Sequence, residues 1–284
     1  MHFCLIMATL NRVTEVERFL ISLDAQDYRD FELIIVDQNT DDRLLGILGR
    51  YGERFPLKHI RYFPPGTSGA RNAGLQQAKG EIIGFPDDDC VYPPGLLRQL
   101  INFFQFYQAD GISLRILDLD EDTDAFGFSL GKSTVIDTHN AWAVGITPSM
   151  FIRQSVATQV AFDENMGPGK RWVGGEDTDY LLRCLDIGTN HYYSHELFIR
   201  HPTPTRIYSL GKMLRREYTY GRGFGFLMGK RKLETAIVRA QLWLPFSLAF
   251  KHLFKGQFGK ALTCPSMGIG RLLGYWESQR ELGQ

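Results

Sequence analysis

The stretch Glu81-Ile82-Ile83-Gly84-Phe85-Pro86-Asp87-Asp88-Asp89-Cys90 places three consecutive carboxylates directly after an apolar run. Residues 81–85 have the length and composition of a buried strand. Adjacent carboxylates repel each other, and burying one without a partner costs several kcal/mol, which a divalent cation would relieve. In α/β sheets, ligands bind beyond the carboxyl ends of the strands. The triplet is therefore a candidate metal site; the alternative is a solvated acidic turn, which Pro93-Pro94-Gly95 just beyond it also fits.

Strand and helix patterns alternate around this stretch. Strands are predicted at residues 3–7, 31–37, 59–63, 111–116 and 191–200, and helices at 14–23, 70–75 and 96–106. The alternation predicts β-α-β units and a mainly parallel sheet. Thr14-Glu15-Val16-Glu17 fits a capping box at the start of the first helix. Prolines at positions 202 and 204 mark the end of this pattern, so we predict an α/β domain over residues 1–205.

Charge is distributed unevenly along the chain, although the formal net charge is +0. Residues 206–284 hold 14 Lys and Arg against 4 Asp and Glu, whereas residues 1–205 hold 18 against 28. Such a basic tail predicts contact with a negative surface, either lipid headgroups or nucleic acid. The four cysteines form no C-x-x-C pair, so neither a zinc site nor a disulfide framework is indicated. The first residues lack a secretory signal, and we expect a cytoplasmic protein.

The basic tail contains an apolar and aromatic stretch from Ala236 to Phe258. Charged residues lie at both ends and Pro245 is expected to break it, so a membrane-spanning helix is not predicted. Aromatic residues and leucines with Lys and Arg on the other side indicate a helix in the bilayer interface, attracted to anionic lipid by roughly 1 kcal/mol per basic residue. We predict a basic amphipathic helical extension, peripheral at the inner face of the plasma membrane. The alternative is a helical layer packed on the sheet.

A second acidic group, Gly174-Gly175-Glu176-Asp177-Thr178-Asp179, begins a predicted helix. An acid at a helix N-terminus caps free N–H groups and complements the dipole, which explains one acid more readily than three. Glycines let the backbone come close to a ligand, and a carboxylate there can take a proton from an attacking hydroxyl, the role of a general base. Trp172 is either a stacking surface for a sugar ring or a core residue.

Five elements, in this order, resemble the family-2 glycosyltransferases with the GT-A fold. They are Met7-Ala8-Thr9-Leu10-Asn11-Arg12, the strand ending in Val36-Asp37, Gly69-Ala70-Arg71-Asn72-Ala73-Gly74 before Gly80-Glu81-Ile82-Ile83, the Asp87-Asp88-Asp89 triplet, and Gly175-Glu176-Asp177. The match runs over residues 2–201. The resemblance implies a Rossmann-like central sheet flanked by helices, with residues 2–90 binding the nucleotide sugar and residues 91–205 binding the acceptor.

The resemblance also implies roles for the donor and metal residues. Asp89 would be the principal ligand of Mn²⁺ or Mg²⁺, with Asp87 and His201 completing the metal site. A hard cation prefers such oxygen ligands and neutralises a diphosphate leaving group. The residues implied in nucleotide-sugar binding are Ala8, Thr9, Asn11, Arg12, Asp37, Gln38, Arg71, Asp87 and Asp88.

On the acceptor side, the resemblance makes Asp177 the base that activates the acceptor hydroxyl, with Glu176 and Asp179 as its supports. Trp172, Gly174 and Gly175 are expected beside the acceptor. Two departures concern the donor. Gln38 stands where many members have an acid that reads uracil, and Ala8 stands where threonine or proline is frequent. The donor base therefore stays open among uracil, thymine and guanine.

These observations predict an inverting, metal-dependent glycosyltransferase. It would move a sugar from a nucleotide-diphosphate sugar to a glycan or lipid-linked acceptor in cell-surface or exopolysaccharide biosynthesis, with no nucleic acid partner. One alternative is a nucleotidyltransferase that makes the sugar nucleotide, but Ala8-Thr9-Leu10-Asn11 lacks the glycine-rich loop typical of that chemistry. Another is a non-catalytic membrane-surface binding module that has kept the fold, although an idle site has no physical reason to retain so many acids.

Overall fold

The computed structural model describes residues 1–126 and 129–283. The chain forms two compact units: Met1–Phe162 with Tyr180–Thr203 make up unit 1, and Asp163–Asp179 with Pro204–Gln284 make up unit 2. The predicted boundary at residue 205 lies close to the end of unit 1, whereas residues 163–179, expected in the first domain, group with the C-terminal helices. The division into donor and acceptor halves stays a prediction.

Unit 1 contains, among its described residues, an eight-stranded sheet. Its strands are β1 (Phe3–Thr9), β2 (Phe31–Asp37), β3 (Leu57–Arg61), β4 (Ile82–Gly84), β5 (Gly111–Asp118), β6 (Thr134–Val135), β7 (Met150–Arg153) and β8 (His191–His201). The spatial order is β3-β2-β1-β4-β7-β5-β8-β6. β1 pairs in parallel with β2 and β4, and β5 with β8, while β7 and β6 run antiparallel to their neighbours. The predicted α/β fold with a mainly parallel sheet is confirmed.

The helices flank this sheet and continue into the C-terminal region. They are α1 (Thr14–Asp24), α2 (Leu45–Gly52), α3 (Thr67–Leu75), α4 (Leu96–Phe106), α5 (Ala141–Val144), α6 (Gln154–Ala157), α7 (Glu176–Asp186), α8 (Pro204–Ile207), α9 (Leu210–Lys230), α10 (Thr235–Phe254) and α11 (Phe258–Glu281). The capping box predicted at α1 is wrong. Val13 occupies the N-cap position and none of the described side chains caps the helix. Thr14 is already helical, and Glu17 instead pairs with Arg50 at 2.7 Å.

Apolar side chains cover both faces of the sheet, as the apolar strands require. Successive residues of β1 point to opposite sides, so that Phe3, Leu5 and Met7 join one core and Cys4 and Ile6 join the other. The first core includes α1 and α4, and the second includes α3 and the residues from Tyr180 to Cys184. The parallel register places Thr9 beside Asp37, so the carboxyl ends of β1 and β2 lie at one edge.

Glycines allow α9 and α11 of unit 2 to pack closely. A Cβ at Gly225 would overlap the carbonyl oxygen of Arg271, and a Cβ at Gly274 would overlap that of Arg222. The two helix backbones therefore touch directly, as small residues at helix interfaces permit. Within the part of the chain that the structure describes, no helix combines the length and the apolar character needed to cross a membrane.

The prediction that Pro245 breaks the tail helix is wrong, because α10 continues through it. A proline cannot donate a hydrogen bond to the carbonyl four residues earlier, which belongs to Gln241. The buried guanidinium of Arg271 supplies a donor to that carbonyl oxygen at 2.5 Å. A contact from another helix thus replaces the bond that the proline removes. The apolar residues of α10 are spread around the helix and do not gather on one side, so the amphipathic character predicted for residues 236–258 is not observed in this helix.

Candidate active site

The carboxylate triplet lies directly beyond the carboxyl end of β4, as predicted. Asp88 and Asp89 are buried, each 7% exposed, and Asp87 is half-buried. The Thr9 hydroxyl donates to Asp88 Oδ2 at 2.7 Å, and Arg12 donates to Asp88 Oδ1 at 2.8 Å and also pairs with Asp89. The end of β1 and the loop after it are thus bound to the end of β4 by charged hydrogen bonds.

Arg71 of α3 approaches the triplet from another element. Its guanidinium donates to Asp87 Oδ1 at 2.9 Å and lies over the Phe162 ring at 5.4 Å. Arg71 is buried, whereas the side chain of Asp87 is partly exposed, so water reaches the carboxylate side of the ion pair. Guanidinium groups also bind phosphate oxygens well, since their N–H groups form a planar fork.

His201 ends β8 and completes the cluster. Its Nε2 lies 3.1 Å from Asp89 Oδ1 and 4.0 Å from Asp87 Oδ2. Its Nδ1 lies 2.8 Å from the carbonyl oxygen of Pro202, so Nδ1–H donates to that oxygen and Nε2 faces the carboxylates. Histidines that bind metals are commonly oriented by such a bond from the other ring nitrogen. The predicted metal residues Asp89, Asp87 and His201 are therefore brought together.

Crowding of charge perturbs these carboxyl groups. Burial, reinforced by the charges of Asp89 and Asp87, raises the pKa of Asp88 to about 7, although Arg12 and Thr9 act in the opposite direction. Burial also acts to raise the pKa of Asp89, but His201 and Arg12 outweigh it and hold that pKa below its usual range. Burial lowers the pKa of His201, and the Asp89 and Asp87 carboxylates more than offset this, so it is raised. The cluster has a strong local preference for positive charge.

The donor set fits a divalent cation. Among the described residues, ligand atoms of Asp89, Cys90 and His201 lie within 4.8 Å of one another. Burial raises the pKa of the Cys90 thiol well above its usual value, and sulfur is a soft ligand that Mn²⁺ and Mg²⁺ disfavour. Carboxylate oxygens and an imidazole nitrogen remain, a set that suits Mn²⁺ and, through its oxygens, Mg²⁺.

The end of β2 holds further predicted donor residues. Asp37 is fully buried and accepts from His59 Nε2 at 2.9 Å and from the Asn39 backbone N–H at 2.8 Å. Arg61 lies 3.3 Å from the same carboxylate. His59, Asn39 and Arg61 were not predicted; the last two could have been suspected from their place after β2 and at the end of the neighbouring β3.

Gln38, Asn11 and Ala8 complete the predicted donor set. The side-chain oxygen of Gln38 accepts from the Gly66 N–H at 2.6 Å, so it fixes the loop before α3. Asn11 has a positive φ of 60°, and its backbone N–H donates to Asn39 at 2.7 Å. Ala8 is half-buried in β1. These contacts stabilise loops at the sheet edge, and the roles of the three residues toward a donor stay predictions.

The second acidic group lies at the start of α7, and its three acids differ in solvent exposure. Asp177 is half-buried, whereas Glu176 is 5% exposed and Asp179 is fully buried. Asp179 Oδ2 accepts from the ammonium of Lys230 at 3.0 Å. Asp177 is thus the most exposed acid of this group, and its role as a base stays a prediction. Lys230 was missed, because no local pattern connects it to a segment some fifty residues earlier.

Trp172, Gly174 and Gly175 are core positions of unit 2. Trp172 is 4% exposed and stacks on Phe226 with ring centroids 4.1 Å apart. It is therefore a core residue and not an exposed stacking surface for a sugar. Gly174 and Gly175 are buried with φ of +83° and +85°, and a Cβ at Gly174 would lie 2.8 Å from the Tyr220 ring. Left-handed backbone and close packing, and not an exposed acceptor surface, explain the glycine pair.

Comparison with known proteins identifies the family. A model described as Glycosyl transferase family 2 matches residues 4–153. The chain belongs to glycosyl transferase family 2. The prediction from the motifs is confirmed. The match includes the Asp87–Asp89 triplet and ends before Asp177 and His201.

Relatives in the family share part of the chain. An uncharacterized glycosyltransferase of Nostoc sp. is 29% identical over 171 residues, 56% of this chain and 53% of the relative. A GalNAc(5)-diNAcBac-PP-undecaprenol beta-1,3-glucosyltransferase of Campylobacter jejuni is 32% identical over 99 residues, 34% of this chain and 32% of the relative. The chain therefore spans about half the length of the first relative and a third of the second.

A solved structure of the mannosyltransferase PcManGT from Pyrobaculum calidifontis, in complex with GDP-Man and Mn²⁺, has a similar fold. The TM-score is 0.69 at 16% identity, covering 97% of this chain and 87% of that one. The likeness confirms the GT-A fold class predicted for the family-2 chain.

Proposed function

We propose that this protein transfers a sugar from a nucleotide-diphosphate donor to a hydroxyl group of a glycan or lipid-linked acceptor, with a divalent cation and with inversion at the anomeric carbon. The observation that carries the proposal is the cluster beyond β4, where His201 Nε2 lies 3.1 Å from Oδ1 of Asp89, an acid within the residues that match the family. Arg12 and Arg71 bind the same triplet and supply guanidinium groups suited to phosphate oxygens.

Asp89, Asp87 and His201 would hold Mn²⁺ or Mg²⁺. When bound, the cation would neutralise charge on the diphosphate leaving group. Arg12 keeps Asp88 and Asp89 in place, and Arg71 does the same for Asp87, so the ligands are oriented before a donor arrives. Such preorganisation lowers the cost of binding.

Asp177 would act as the general base. Its carboxylate takes the proton of the acceptor hydroxyl as the oxygen attacks the anomeric carbon and the nucleoside diphosphate departs. The attack displaces the leaving group directly, so the configuration inverts. Glu176 and Asp179 support the base through the first turn of α7, since both are buried.

The proposed acceptor and pathway rest on analogy with proteins similar to this chain. The Campylobacter relative is named for transfer to an undecaprenol-linked saccharide, and the Pyrobaculum neighbour holds a nucleotide sugar with Mn²⁺. By analogy we propose a lipid-linked saccharide acceptor and a role in cell-surface polysaccharide biosynthesis. The acceptor would then be met at the inner face of the plasma membrane.

A transfer assay tests the proposal. UDP-, GDP- and dTDP-sugars are incubated with the protein, Mn²⁺ and an undecaprenyl-diphosphate-linked saccharide, and the product is analysed by ¹H NMR. One donor should be consumed, and the new linkage should have the anomeric configuration opposite to that of the donor. Retention of configuration would refute the proposed attack. In a separate incubation, formation of a nucleotide sugar and diphosphate from a sugar 1-phosphate and a nucleoside triphosphate would favour the nucleotidyltransferase alternative.

We further propose that unit 2 contacts an anionic membrane surface. Its aromatic residues Trp243, Phe250, Phe254, Phe258 and Trp276 are each between 54% and 88% exposed. Lys251, Lys255 and Lys260 lie in the same part of the chain and are exposed. Exposed rings can be buried among the lipids and exposed lysines are attracted to anionic headgroups, so the two together favour contact with such a surface.

Replacing three of these rings should weaken vesicle binding. The variant with Phe250→Ser, Phe254→Ser and Phe258→Ser should bind vesicles of phosphatidylglycerol and phosphatidylcholine at least ~10-fold more weakly, since burying a phenylalanine is worth about 1.5–3 kcal/mol. Sedimentation with the vesicles measures the effect. Phe106→Ser, at an 81% exposed ring of α4, is the matched control and should change nothing. Equal binding by the triple variant would contradict the proposal.

A further inference from the structure

We infer that Lys230 is a positioning residue for the general base, and that one side of α9 supports the segment Asp163–Asp179 that carries it. The inference rests on the proposed function of Asp177. It assigns a catalytic contribution to a C-terminal helix for which the sequence indicated membrane association.

Four residues of α9 recur at helical spacing and so lie on one side of the helix: Tyr220, Gly223, Phe226 and Lys230. Each meets the segment Asp163–Asp179. The Tyr220 ring packs against Gly174, and a Cβ at Gly223 would overlap the carbonyl oxygen of Val173. Phe226 stacks on Trp172 with an interplanar angle of 9°.

Lys230 makes the last of these four contacts, and its contact is an ion pair. Its Nζ donates to Asp163 Oδ2 at 2.7 Å and to Asp179 Oδ2 at 3.0 Å. Asp163 begins the segment and Asp179 ends it, so one ammonium group ties its two ends together. Burial acts to raise the pKa of Asp163, but Lys230 and the amide groups of Asn165 outweigh it and hold the pKa below its usual range.

A lysine in the last turn of a helix has an ordinary explanation, because it complements the helix dipole. The dipole does not explain two carboxylates at hydrogen-bond distance, one of them fully buried. A buried carboxylate that loses a cationic partner is strongly unfavourable, so its side chain is expected to move. Lys230 therefore contributes to where Asp179 lies.

Asp179 in turn determines the first turn of α7. Its backbone N–H donates to the carbonyl oxygen of Gly175 at 2.8 Å, which closes that turn around Asp177. Gly175 is held in left-handed backbone, and a Cβ there would lie 3.4 Å from Gly223 of α9. A shift of Asp179 thus displaces the Asp177 carboxylate, and a displacement of about 1 Å can lower the rate of an oriented reaction ~100-fold.

The experiment compares Lys230→Met with Lys230→Arg. The methionine variant should lower kcat ~100-fold, while the KM for the donor and donor affinity by calorimetry stay within ~2-fold of wild type. Lys230→Arg retains a cation and should recover most of the rate. Lys212→Met removes an exposed lysine from the same helix and should behave as wild type. A merely structural role would lower donor affinity, kcat and stability together.

The outcomes separate this inference from the proposed function. Unchanged kcat in Lys230→Met, with the wild type active and Asp177→Asn inactive, overturns the role of Lys230 alone. A wild type that transfers no sugar overturns the proposed function instead. If Lys230→Met does not fold, Asp163→Asn breaks one of the two pairs at a partly exposed site and should lower kcat about fivefold. Wild-type kcat in that variant then overturns the inference.

Discussion

Asp177→Asn should lower the rate of sugar transfer at least ~100-fold, because an amide has the shape of the carboxylate but cannot take the proton of the acceptor hydroxyl. Donor binding should persist, since donor contacts are proposed for Asp89, Arg12 and Arg71 of unit 1. Asp177 is half-buried at the start of α7, and asparagine has nearly the same volume as aspartate, so the substitution leaves no cavity. Initial rates with donor, acceptor and Mn²⁺ are compared with donor affinity from calorimetry.

Asp186→Asn is the matched control for this variant. It makes the same chemical change at the last residue of α7, where the side chain is exposed. A negative charge is slightly unfavourable at a helix C-terminus, so this control should keep full activity and stability. If Asp177→Asn lost donor binding and transfer to the same extent, or kept its rate, Asp177 would not be the base.

Asp89→Ala should abolish the effect of manganese on donor binding. Asp89 Oδ1 lies 3.1 Å from His201 Nε2. Without this carboxylate, only the imidazole and Asp87 remain as protein ligands, and these are too few to hold the cation. We expect donor affinity to fall ~10–100-fold, to the level of the wild type in chelator, because a cation that bridges protein and diphosphate is worth a few kcal/mol. Calorimetric titrations of the donor with Mn²⁺ and with EDTA measure both effects.

The fold should survive this substitution. Arg12 keeps its hydrogen bond to Asp88 at 2.8 Å, and removal of one of three adjacent acids relieves repulsion. Asp27→Ala, at an exposed acid paired with Arg98, is the control and should retain manganese-dependent binding. Donor affinity in Asp89→Ala that still responds to manganese as in the wild type would place the cation elsewhere.

Strands and helices with uninterrupted apolar patterns could be predicted closely from the sequence. The predictions for residues 31–37 and 96–106 coincide with β2 and α4, since β2 is a short apolar run and α4 has apolar residues at helical spacing. The helix through Pro245 could not be predicted, because the compensating donor is Arg271, which lies in the next helix. Local rules describe a helix only where its hydrogen bonds are local.

The candidate site shows the same limit. Thr9, Arg12, the triplet and His201 could be expected together, because the ends of parallel strands share one edge of the sheet and the motifs follow the family order. The pairing of Lys230 with Asp179 could not be predicted, since it joins two helices that are distant in sequence. The sequence also could not decide between the two alternatives for Trp172, because its burial depends on Phe226, which no nearby pattern indicates.

The most direct test of metal-dependent donor binding is the melting temperature of the wild-type protein with UDP-, GDP- and dTDP-sugars, each with Mn²⁺ and with EDTA. One class of donor at ~100 times its Kd should raise the Tm by about 5–10 °C with Mn²⁺, and EDTA should remove that increase. Asp89, Asp87 and His201 then hold the cation against the donor diphosphate. An unchanged Tm with every donor, or an increase that EDTA leaves intact, would contradict a metal-dependent nucleotide-sugar site at the end of β4.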